Sequence, residues 1–196
     1  MKIILASGSP RRKELLEQAG YEFEIEVSDA DENISVDEPG ELVEQLSFRK
    51  AHAVVVNHLK EEDDCTVIGA DTVVVLDGKV LGKPDGESGA VKMLKDLSGR
   101  THQVYTGVSL FLIEKGKMVN HQSFHVCTDV TMRQLSDQEI AGYVATGEPM
   151  DKAGAYGIQG KAAVFISRIC GDYYNVVGLP VCETVQQLQK LWNQSN

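Results

Sequence analysis

Segments of helical and of extended periodicity alternate along the whole of this 196-residue chain. The extended segments begin with Lys2 to Ala6 and include two long runs, Thr101 to Ile113 and Met118 to Thr131, joined by a Lys-Gly-Lys turn. Alternation of this kind is typical of α/β folds, in which helices cover a sheet. The sequence therefore predicts an α/β fold with a mixed, twisted sheet.

Apolar residues at helical spacing predict five helices. The first begins at Pro10, where Ser9 is a good N-cap, and ends before Gly20. Ser136 and Glu139 are spaced as a capping box at the start of the fourth. The predicted helical segments are 10–19, 41–58, 87–97, 136–144 and 180–192.

Shorter extended segments complete the predicted sheet. Residues 23–27 alternate between apolar side chains and glutamates, as in a half-buried strand. Residues 66–70 form a buried strand, and the chain continues extended to a hairpin turn at Asp77-Gly78. The glycine-rich stretch 148–160 is predicted to be a loop with short extended pieces, followed by a strand over 162–169.

The composition indicates one folded domain, residues 1–196, that acts on neither a nucleic-acid polymer nor a membrane. Apolar residues make up 42% of the chain, enough for a core, and the net charge is −10. Negative charge repels nucleic acid and anionic lipid, so a small anionic substrate would need a local basic site or a metal. No apolar run reaches the ~20 residues that span a bilayer, and the first apolar run is too short for a signal sequence. We therefore expect a cytoplasmic protein.

The four cysteines, Cys65, Cys127, Cys170 and Cys182, form no C-x-x-C pair, and most have apolar neighbours. They are therefore predicted to be buried free thiols in a reducing compartment, rather than zinc ligands or disulfides.

A basic segment directly after the first strand predicts an anion site. Ser7 to Lys13 joins that strand to a helix, so free backbone N–H groups and the positive helix end meet there. Arg11 and Arg12 add guanidinium groups, whose planar fork suits phosphate oxygens. Positive charge at a helix N-terminus opposes the helix dipole, which favours an anion site over a capped helix with a solvated first turn.

Three further groups of residues are candidates for chemistry. Asp71 follows an apolar strand, where α/β sheets place ligands, although an aspartate at a strand end is equally consistent with a simple turn. The acidic residues Asp29, Asp31 and Glu32 offer oxygen ligands for Mg²⁺ or Mn²⁺, and otherwise form a solvated loop. Lys83 is a candidate phosphate ligand, but the spacing of a phosphate-binding loop is absent around it.

The stretch 151–160 combines three glycines with a polar side chain at Gln159. Glycines permit close backbone approach, and an amide offers both the donor and the acceptor that reading a base edge requires. The alternative is a glycine-rich connection without a binding role.

These segments together resemble the Maf family, the septum-formation-inhibitor-like proteins, and the resemblance covers essentially the whole chain. Its motifs are L-A-S-G-S-P-R-R at 5–12, G-A-D-T-V-V at 69–74, G-K-P at 82–84, L-S-G-R-T-H at 97–102, E-P-M-D-K-A-G-A-Y-G-I-Q-G at 148–160 and V-G-L-P at 177–180. The resemblance implies a fold like that of inosine-triphosphate pyrophosphatases. That fold is an elongated mixed sheet flanked by helices, in two lobes with a central groove.

The resemblance also implies roles for individual residues. Asp71 corresponds to the catalytic proton acceptor, and Arg11, Thr72 and Gln159 occupy specificity positions. Polar groups that line the family's pocket correspond to Ser7, Arg12, Glu32, Lys50 and Lys83. Together, Glu32 and Asp71 would hold the divalent cation, Mg²⁺ or Mn²⁺.

The implied reaction is hydrolysis of a nucleoside triphosphate to the monophosphate and pyrophosphate. Residues 156–159 resemble the branch of the family that acts on dTTP and UTP, whereas the branch that prefers 7-methyl-GTP usually carries glutamate where Gln159 stands. Three alternatives stay open: a 7-methyl-GTP pyrophosphatase, house-cleaning of modified pyrimidine nucleotides, and a non-catalytic nucleotide-binding regulator of septum formation and cell-division arrest. A homodimer is a further expectation.

Overall fold

The computed structural model describes residues 1–27, 30–31, 33–34, 36–61 and 64–194, with the backbone alone at 60 and 61. The strands in these ranges are β1 (Lys2–Leu5), β2 (Glu24–Ile25), β3 (Cys65–Leu76), β4 (Lys79–Leu81), β5 (Thr101–Glu114), β6 (Lys117–Met132) and β7 (Ile166–Cys170). The α-helices are α1 (Pro10–Gln18), α2 (Pro39–Glu61), α3 (Gly86–Leu97), α4 (Asp137–Val144), α5 (Tyr173–Val177) and α6 (Val181–Asn193).

The strands form one mixed sheet, which confirms the predicted α/β class. The strand order is β2-β1-β3-β5-β6-β7, and β4 pairs with β3. The short strand β1 runs parallel to both β2 and β3, whereas the β3–β4 and β6–β7 pairs are antiparallel. Both predicted hairpin turns are present, with positive φ angles at Asp77-Gly78 and at Lys115-Gly116.

The chain divides into two compact units. The first contains Met1–Asp71, Thr106–Val126 and Gly178–Asn196, and the second contains Thr72–Tyr105 and Cys127–Val177. Each of the long strands β3, β5 and β6 therefore contributes residues to both units. The organisation of residues 1–196 as a single domain stays a prediction. Among the described residues, no helix is both long enough and apolar enough to cross a membrane.

The core of the first unit forms where α2 packs closely on β3 and β5. Gly69 in β3 makes this approach possible, because an added Cβ there would lie 2.5 Å from the Ser47 carbonyl oxygen and 2.7 Å from Ala51 Cβ. Gly107 in β5 has the same function, since its Cβ would meet the backbone of Val43. The Ser47 and Ser109 hydroxyls bond across this contact at 2.8 Å, so a buried polar pair lies between helix and strand.

The core of the second unit lies between α3, α4 and the ends of the long strands. Leu94 and Leu97 of α3, Ile140 of α4 and Met132 of β6 are all buried. The predicted capping box is confirmed, because the Ser136 side chain accepts from the Glu139 N–H while the Glu139 carboxylate accepts from the Ser136 N–H.

The segment between α4 and β7 differs from its prediction. Instead of a loop with extended pieces and a strand from Ala162, it contains three 3-10 turns, Glu148–Asp151, Ala153–Ala155 and Lys161–Phe165, before β7. In the last turn Ala162 and Phe165 are buried whereas Val164 is 68% exposed. The buried residues Ala162 and Phe165 are three positions apart, which matches the three residues per turn of a 3-10 helix. The predicted strand start at Ala162 is therefore wrong, because the apolar residues there form the inner face of a turn.

Other differences are smaller. The predicted strand over 23–27 shortens to β2, with Ile25 47% and Val27 64% exposed rather than half-buried. The short helix α5 was not predicted, and α2 extends beyond both predicted ends.

The cysteine prediction is right about oxidation state and largely wrong about burial. All four cysteines are free thiols, but only Cys65 is buried. Cys127 lies on β6, where the neighbouring Thr128 and Val130 point inward, so the alternation of a strand exposes it. Apolar neighbours in sequence therefore did not indicate a buried position.

Gly69→Ala is expected to lower the free energy of unfolding by about 1–3 kcal/mol, the typical cost of overpacking a core. The added methyl group would force α2 away from β3. Gly142→Ala is the matched control, because its methyl group meets nothing within 4 Å. In a helix interior alanine is favoured over glycine by roughly 0.5–1 kcal/mol. Urea unfolding measures both variants, and a Gly69→Ala protein as stable as the wild type would contradict the close packing.

Candidate active site

The candidate site in the first unit lies where the short strand β1 ends beside the middle of its parallel neighbour β3. The predicted strand end at Asp71 is wrong, because β3 continues through Asp71 to Leu76. β1 and β3 pair in register from Lys2 with Cys65 to Leu5 with Ile68, and the Ala6 N–H donates to the Ile68 carbonyl at 2.8 Å. Continuing that register puts Ser7 beside Ala70, directly before the half-buried residues Asp71 and Thr72 in the middle of β3. The carboxyl end of a parallel strand, here that of β1, is where α/β sheets bind ligands.

Lys50 and Asp71 form an ion pair at this edge. The Lys50 Nζ lies 2.5 Å from the Asp71 Oδ1, and the two side chains are only 19% and 13% exposed. Lys50 stands on α2 between Ser47 and Ala51, the residues that approach Gly69. The packing of α2 on β3 therefore positions the ammonium group beside the carboxylate.

Part of the basic segment after β1 makes hydrogen bonds within the protein. Arg12 donates from Nε to the Gly178 carbonyl at 2.8 Å and from Nη1 to Ser7 Oγ at 3.1 Å. Ser7 Oγ also accepts from the Ser9 N–H at 3.3 Å. Ser9 has the backbone geometry of an N-cap, but its side chain makes no capping hydrogen bond. Arg11 forms no hydrogen bond or ion pair with the described residues, and the anion site stays a prediction.

The remaining specificity and phosphate positions belong to the second unit. Thr72 is half-buried and Lys83 is exposed. The Gly154 N–H donates to the Gly82 carbonyl at 3.1 Å, which ties the segment of Lys83 to the glycine-rich stretch. Gly154 has a φ angle of +67° and lies directly against Val74 of β3, so a larger residue would be both strained and obstructed.

Gln159 occupies the corner of a tight turn. The Gly160 N–H donates to the Gly157 carbonyl at 3.0 Å, which closes the turn over Ile158 and Gln159. Ile158 is buried and Gln159 is exposed, so the apolar corner anchors the turn while the amide points to solvent.

Two residues that the sequence did not suggest hold this turn in place. Tyr143 on α4 donates from its hydroxyl to Glu148 Oε1 at 3.0 Å, and the Lys161 N–H donates to Glu148 Oε1 and Oε2 at 3.0 and 3.1 Å. Burial and the neighbouring Glu148 raise the pKa of Tyr143, which keeps its hydroxyl protonated. In the sequence, Tyr143 lies on the apolar face of a predicted helix. A buried tyrosine hydroxyl needs a hydrogen-bond partner, so this position could have indicated a polar contact.

A second anchor of the glycine-rich stretch is a buried pair of rings. The Tyr156 hydroxyl and His102 Nε2 lie 2.7 Å apart, with the two rings edge to face. His102 is fully buried, and this desolvation lowers its pKa to about 4, so the imidazole is neutral at physiological pH. Burial likewise raises the pKa of Tyr156.

A metal ion could be held at the edge that carries Asp71. Oδ2 of Asp71 makes no hydrogen bond or ion pair with the described residues, since Lys50 bonds to Oδ1. The other predicted ligand, Glu32, lies outside the described residues, as does Asp29 of the same acidic run. Within the described ranges no three His, Cys, Asp or Glu residues are grouped to hold an ion.

This chain belongs to the Maf-like protein family, whose model matches residues 2–191. It is 51% identical over 190 residues to the dTTP/UTP pyrophosphatase of Bacillus thuringiensis subsp. konkukian (strain 97-27), and the match covers 96% of this chain and 95% of that protein. The dTTP/UTP pyrophosphatase of Bacillus cereus (strain AH820) matches with the same identity and coverage.

Two solved structures have a partial likeness to this chain. The nucleoside-triphosphatase / dITP/XTP pyrophosphatase from Mycobacterium abscessus aligns with a TM-score of 0.40 at 17% identity, over 69% of this chain and 76% of that one. The Ham1 protein of Staphylococcus aureus aligns with a TM-score of 0.43 at 15% identity, over 67% and 72% respectively.

Arg12→Ala is expected to lower the melting temperature, whereas Arg11→Ala is expected to leave it nearly unchanged. Removing the Arg12 guanidinium breaks its bonds to Gly178 and Ser7, and hydrogen bonds to charged groups contribute about 1.5–3 kcal/mol. Arg11 is half-buried like Arg12 but makes no hydrogen bond or ion pair with the described residues, so its truncation breaks no such contact there. Thermal unfolding of the two variants gives the comparison, and equal losses would refute the structural role of Arg12.

Acid is expected to destabilise the protein through His102. Because the folded-state pKa of about 4 lies below the ordinary value of 6.5, the unfolded state binds more protons between these two values. The stability from burying the neutral ring is complete above pH 6.5 and falls as the pH drops toward 4, by at most about 1.4 kcal/mol per pH unit.

His102→Asn removes this titration, so the stability difference between wild type and variant should shrink in that acid window and stay constant above it. Urea midpoints measured across the window test this, and a difference that does not vary with pH would contradict the neutral buried ring.

Proposed function

We propose that this protein hydrolyses dTTP and UTP to the monophosphate and pyrophosphate. The observation that carries the proposal is the Lys50–Asp71 pair, in which a carboxylate and an ammonium lie 2.5 Å apart. Asp71 lies in β3, next to the point where the parallel strand β1 ends. A triphosphate needs both a proton acceptor for water and positive charge for its phosphates. Relatives named dTTP/UTP pyrophosphatase, 51% identical over 96% of the chain, support the same substrates.

In the proposed reaction, a water oxygen bonds to the α-phosphorus and the bond from that phosphorus to the α,β-bridging oxygen breaks. The bridging oxygen keeps the electron pair and leaves with pyrophosphate. The Asp71 carboxylate accepts the water proton, and Lys50 donates to its Oδ1. The ion pair fixes the orientation of the carboxylate, so the base is held in place before water attacks.

We also propose that Asp71 and Glu32 hold a Mg²⁺ or Mn²⁺ ion. A carboxylate oxygen is a preferred ligand of these ions, which commonly use one or two protein carboxylates and complete their shell with phosphate oxygens and water. When bound, such an ion supplies positive charge to the phosphates and acidifies coordinated water. Further charge would come from Arg11, Lys50 and Lys83, while Arg12 and Ser7 support the strand end beside them.

Base choice is assigned to Gln159, with Arg11 and Thr72 as the other specificity positions. Uracil and thymine present a ring N–H donor between two carbonyl acceptors, which an amide can match with one acceptor and one donor. Cytosine and the purines present different patterns on that edge. The exposed position of Gln159 at the corner of its turn leaves its amide accessible to a base.

We further propose that the protein is cytoplasmic. Four free thiols are typical of a reducing compartment, which supports a cytoplasmic location. The homodimer stays a prediction.

The test of the proposed function is a panel of dTTP, UTP, CTP, GTP and 7-methyl-GTP with Mg²⁺ and Mn²⁺, with pyrophosphate, orthophosphate and monophosphate measured separately. We expect pyrophosphate from dTTP and UTP, and loss of turnover with a chelator. Release of orthophosphate, or the highest kcat/KM with 7-methyl-GTP, would overturn the substrate assignment. Nucleotide binding without turnover would identify a binding regulator instead.

Asp71→Asn is expected to reduce kcat by on the order of 10²–10⁴-fold, the usual contribution of a general base. Asp77→Asn is the matched control. It makes the same chemical change at the hairpin turn that follows β3, where the φ angle of 50° suits asparagine. Circular dichroism should show both variants folded, and an Asp71→Asn enzyme close to wild-type activity would assign the base elsewhere.

A further inference from the structure

The turn that carries Gln159 is fixed at both ends by one pair of side chains, Tyr143 and Glu148. On the N-terminal side, the Gly157 N–H donates to the Tyr143 hydroxyl at 3.3 Å. On the C-terminal side, the Lys161 N–H donates to both carboxylate oxygens of Glu148. Since Tyr143 in turn donates to Glu148, one continuous chain of hydrogen bonds links the two ends of the turn.

The glycines of the turn are explained by this brace. An added Cβ at Gly160 would collide with the Glu148 carboxylate, and one at Gly157 would lie 2.6 Å from Lys152 Cε. Lys152 in turn donates from Nζ to the Glu148 carbonyl at 2.8 Å, which holds the backbone beneath the carboxylate. The absence of side chains at these two positions therefore lets the turn lie directly on its supports.

The contacts of Glu148 also limit what it can do. Its carboxylate already accepts from the Tyr143 hydroxyl and from the Lys161 backbone, and it is only half-exposed. A carboxylate engaged in this way has fewer free lone pairs with which to bind a cation. Its position instead controls where the exposed corner of the turn stands.

We infer that Tyr143 and Glu148 are positioning residues for base selection, holding the amide of Gln159 in the orientation that reads the pyrimidine edge. The inference rests on the proposed function of the Gln159 amide. Hydrogen-bond readout depends on donor and acceptor directions, so an unbraced turn should lose discrimination between bases before it loses hydrolysis. The effect belongs to base choice, because neither residue touches the reacting phosphates in this proposal.

The test compares Glu148→Gln and Tyr143→Phe with wild type in kcat/KM for UTP and CTP. Glu148→Gln replaces one acceptor by a donor that opposes the Lys161 N–H, and Tyr143→Phe removes the hydroxyl that links the ends. We expect the UTP-to-CTP preference to fall by roughly tenfold, mainly through KM for UTP, with kcat changed less.

A double-variant cycle separates positioning from general destabilisation. In a Gln159→Ala background the preference is already lost, so adding Glu148→Gln should reduce it no further. The matched control is Glu139→Gln, a glutamate of the same unit that also accepts from a backbone N–H and a side chain, Ser136 and Arg133. It should lower the melting temperature and leave the base preference unchanged.

Two outcomes would overturn the inference: an unchanged UTP-to-CTP preference in both Glu148→Gln and Tyr143→Phe, or an equal loss of preference in Glu139→Gln. The wild-type panel tests the proposed function separately. If wild type hydrolyses no nucleotide, that function fails, and calorimetric affinities of UTP and CTP for the same variants decide the positioning role. If Glu148→Gln does not fold, Tyr143→Phe, which keeps the ring, carries the test.

Discussion

The close contact of helix α2 with the sheet is the constraint on which the first unit depends. A helix carrying ordinary side chains cannot approach a strand this closely unless the strand has none at the point of contact. Gly69 and Gly107 meet that condition on β3 and β5, and the Ser47–Ser109 hydrogen bond satisfies the polar groups that the contact buries. The same packing sets Lys50 of α2 against Asp71 of β3, so the ion pair follows directly from the packing of the core.

The two arginines of the basic segment differ in their contacts within the protein. The chain as a whole carries a net charge of −10, so any attraction for a triphosphate has to be local. Arg12 is largely occupied in joining the start of α1 to the Gly178 segment, whereas Arg11 on the same helical turn has no such partner among the described residues. Adjacent arginines in one motif therefore have different surroundings, and only Arg12 is shown to bond to another segment of the described chain.

In the second unit, Gln159 lies exposed on a short turn whose backbone is held by contacts on several sides. Burial of Ile158, the Tyr156–His102 bond and the Tyr143–Glu148 pair each fix one part of the glycine-rich stretch. Glycine is needed there because the supports lie where side chains would otherwise be. The conformational freedom that glycine brings to an isolated chain is thus removed by hydrogen bonds in the folded protein.

Much of the architecture could be predicted from local patterns alone. Helical and extended periods identified the α/β class, the capping box at Ser136 and the hairpin turn at Asp77, because caps, turns and amphipathic periods act between residues close in sequence. Ordered motifs likewise identified the family, and with it Asp71 and Lys50 as members of one site. These features are determined by the sequence itself, since each depends on only a few neighbouring side chains.

Only the tertiary structure decided which polar groups meet and which face solvent. An apolar run does not reveal which neighbours will cover it, so the sequence predicts a strand where the structure has the 3-10 turn Lys161–Phe165. The Arg12 guanidinium bonds to a carbonyl 166 residues further along the chain, and no local pattern encodes such a contact. Hydrogen bonds and ion pairs act over a few ångströms in space, so their partners are determined when the chain folds rather than by spacing along it.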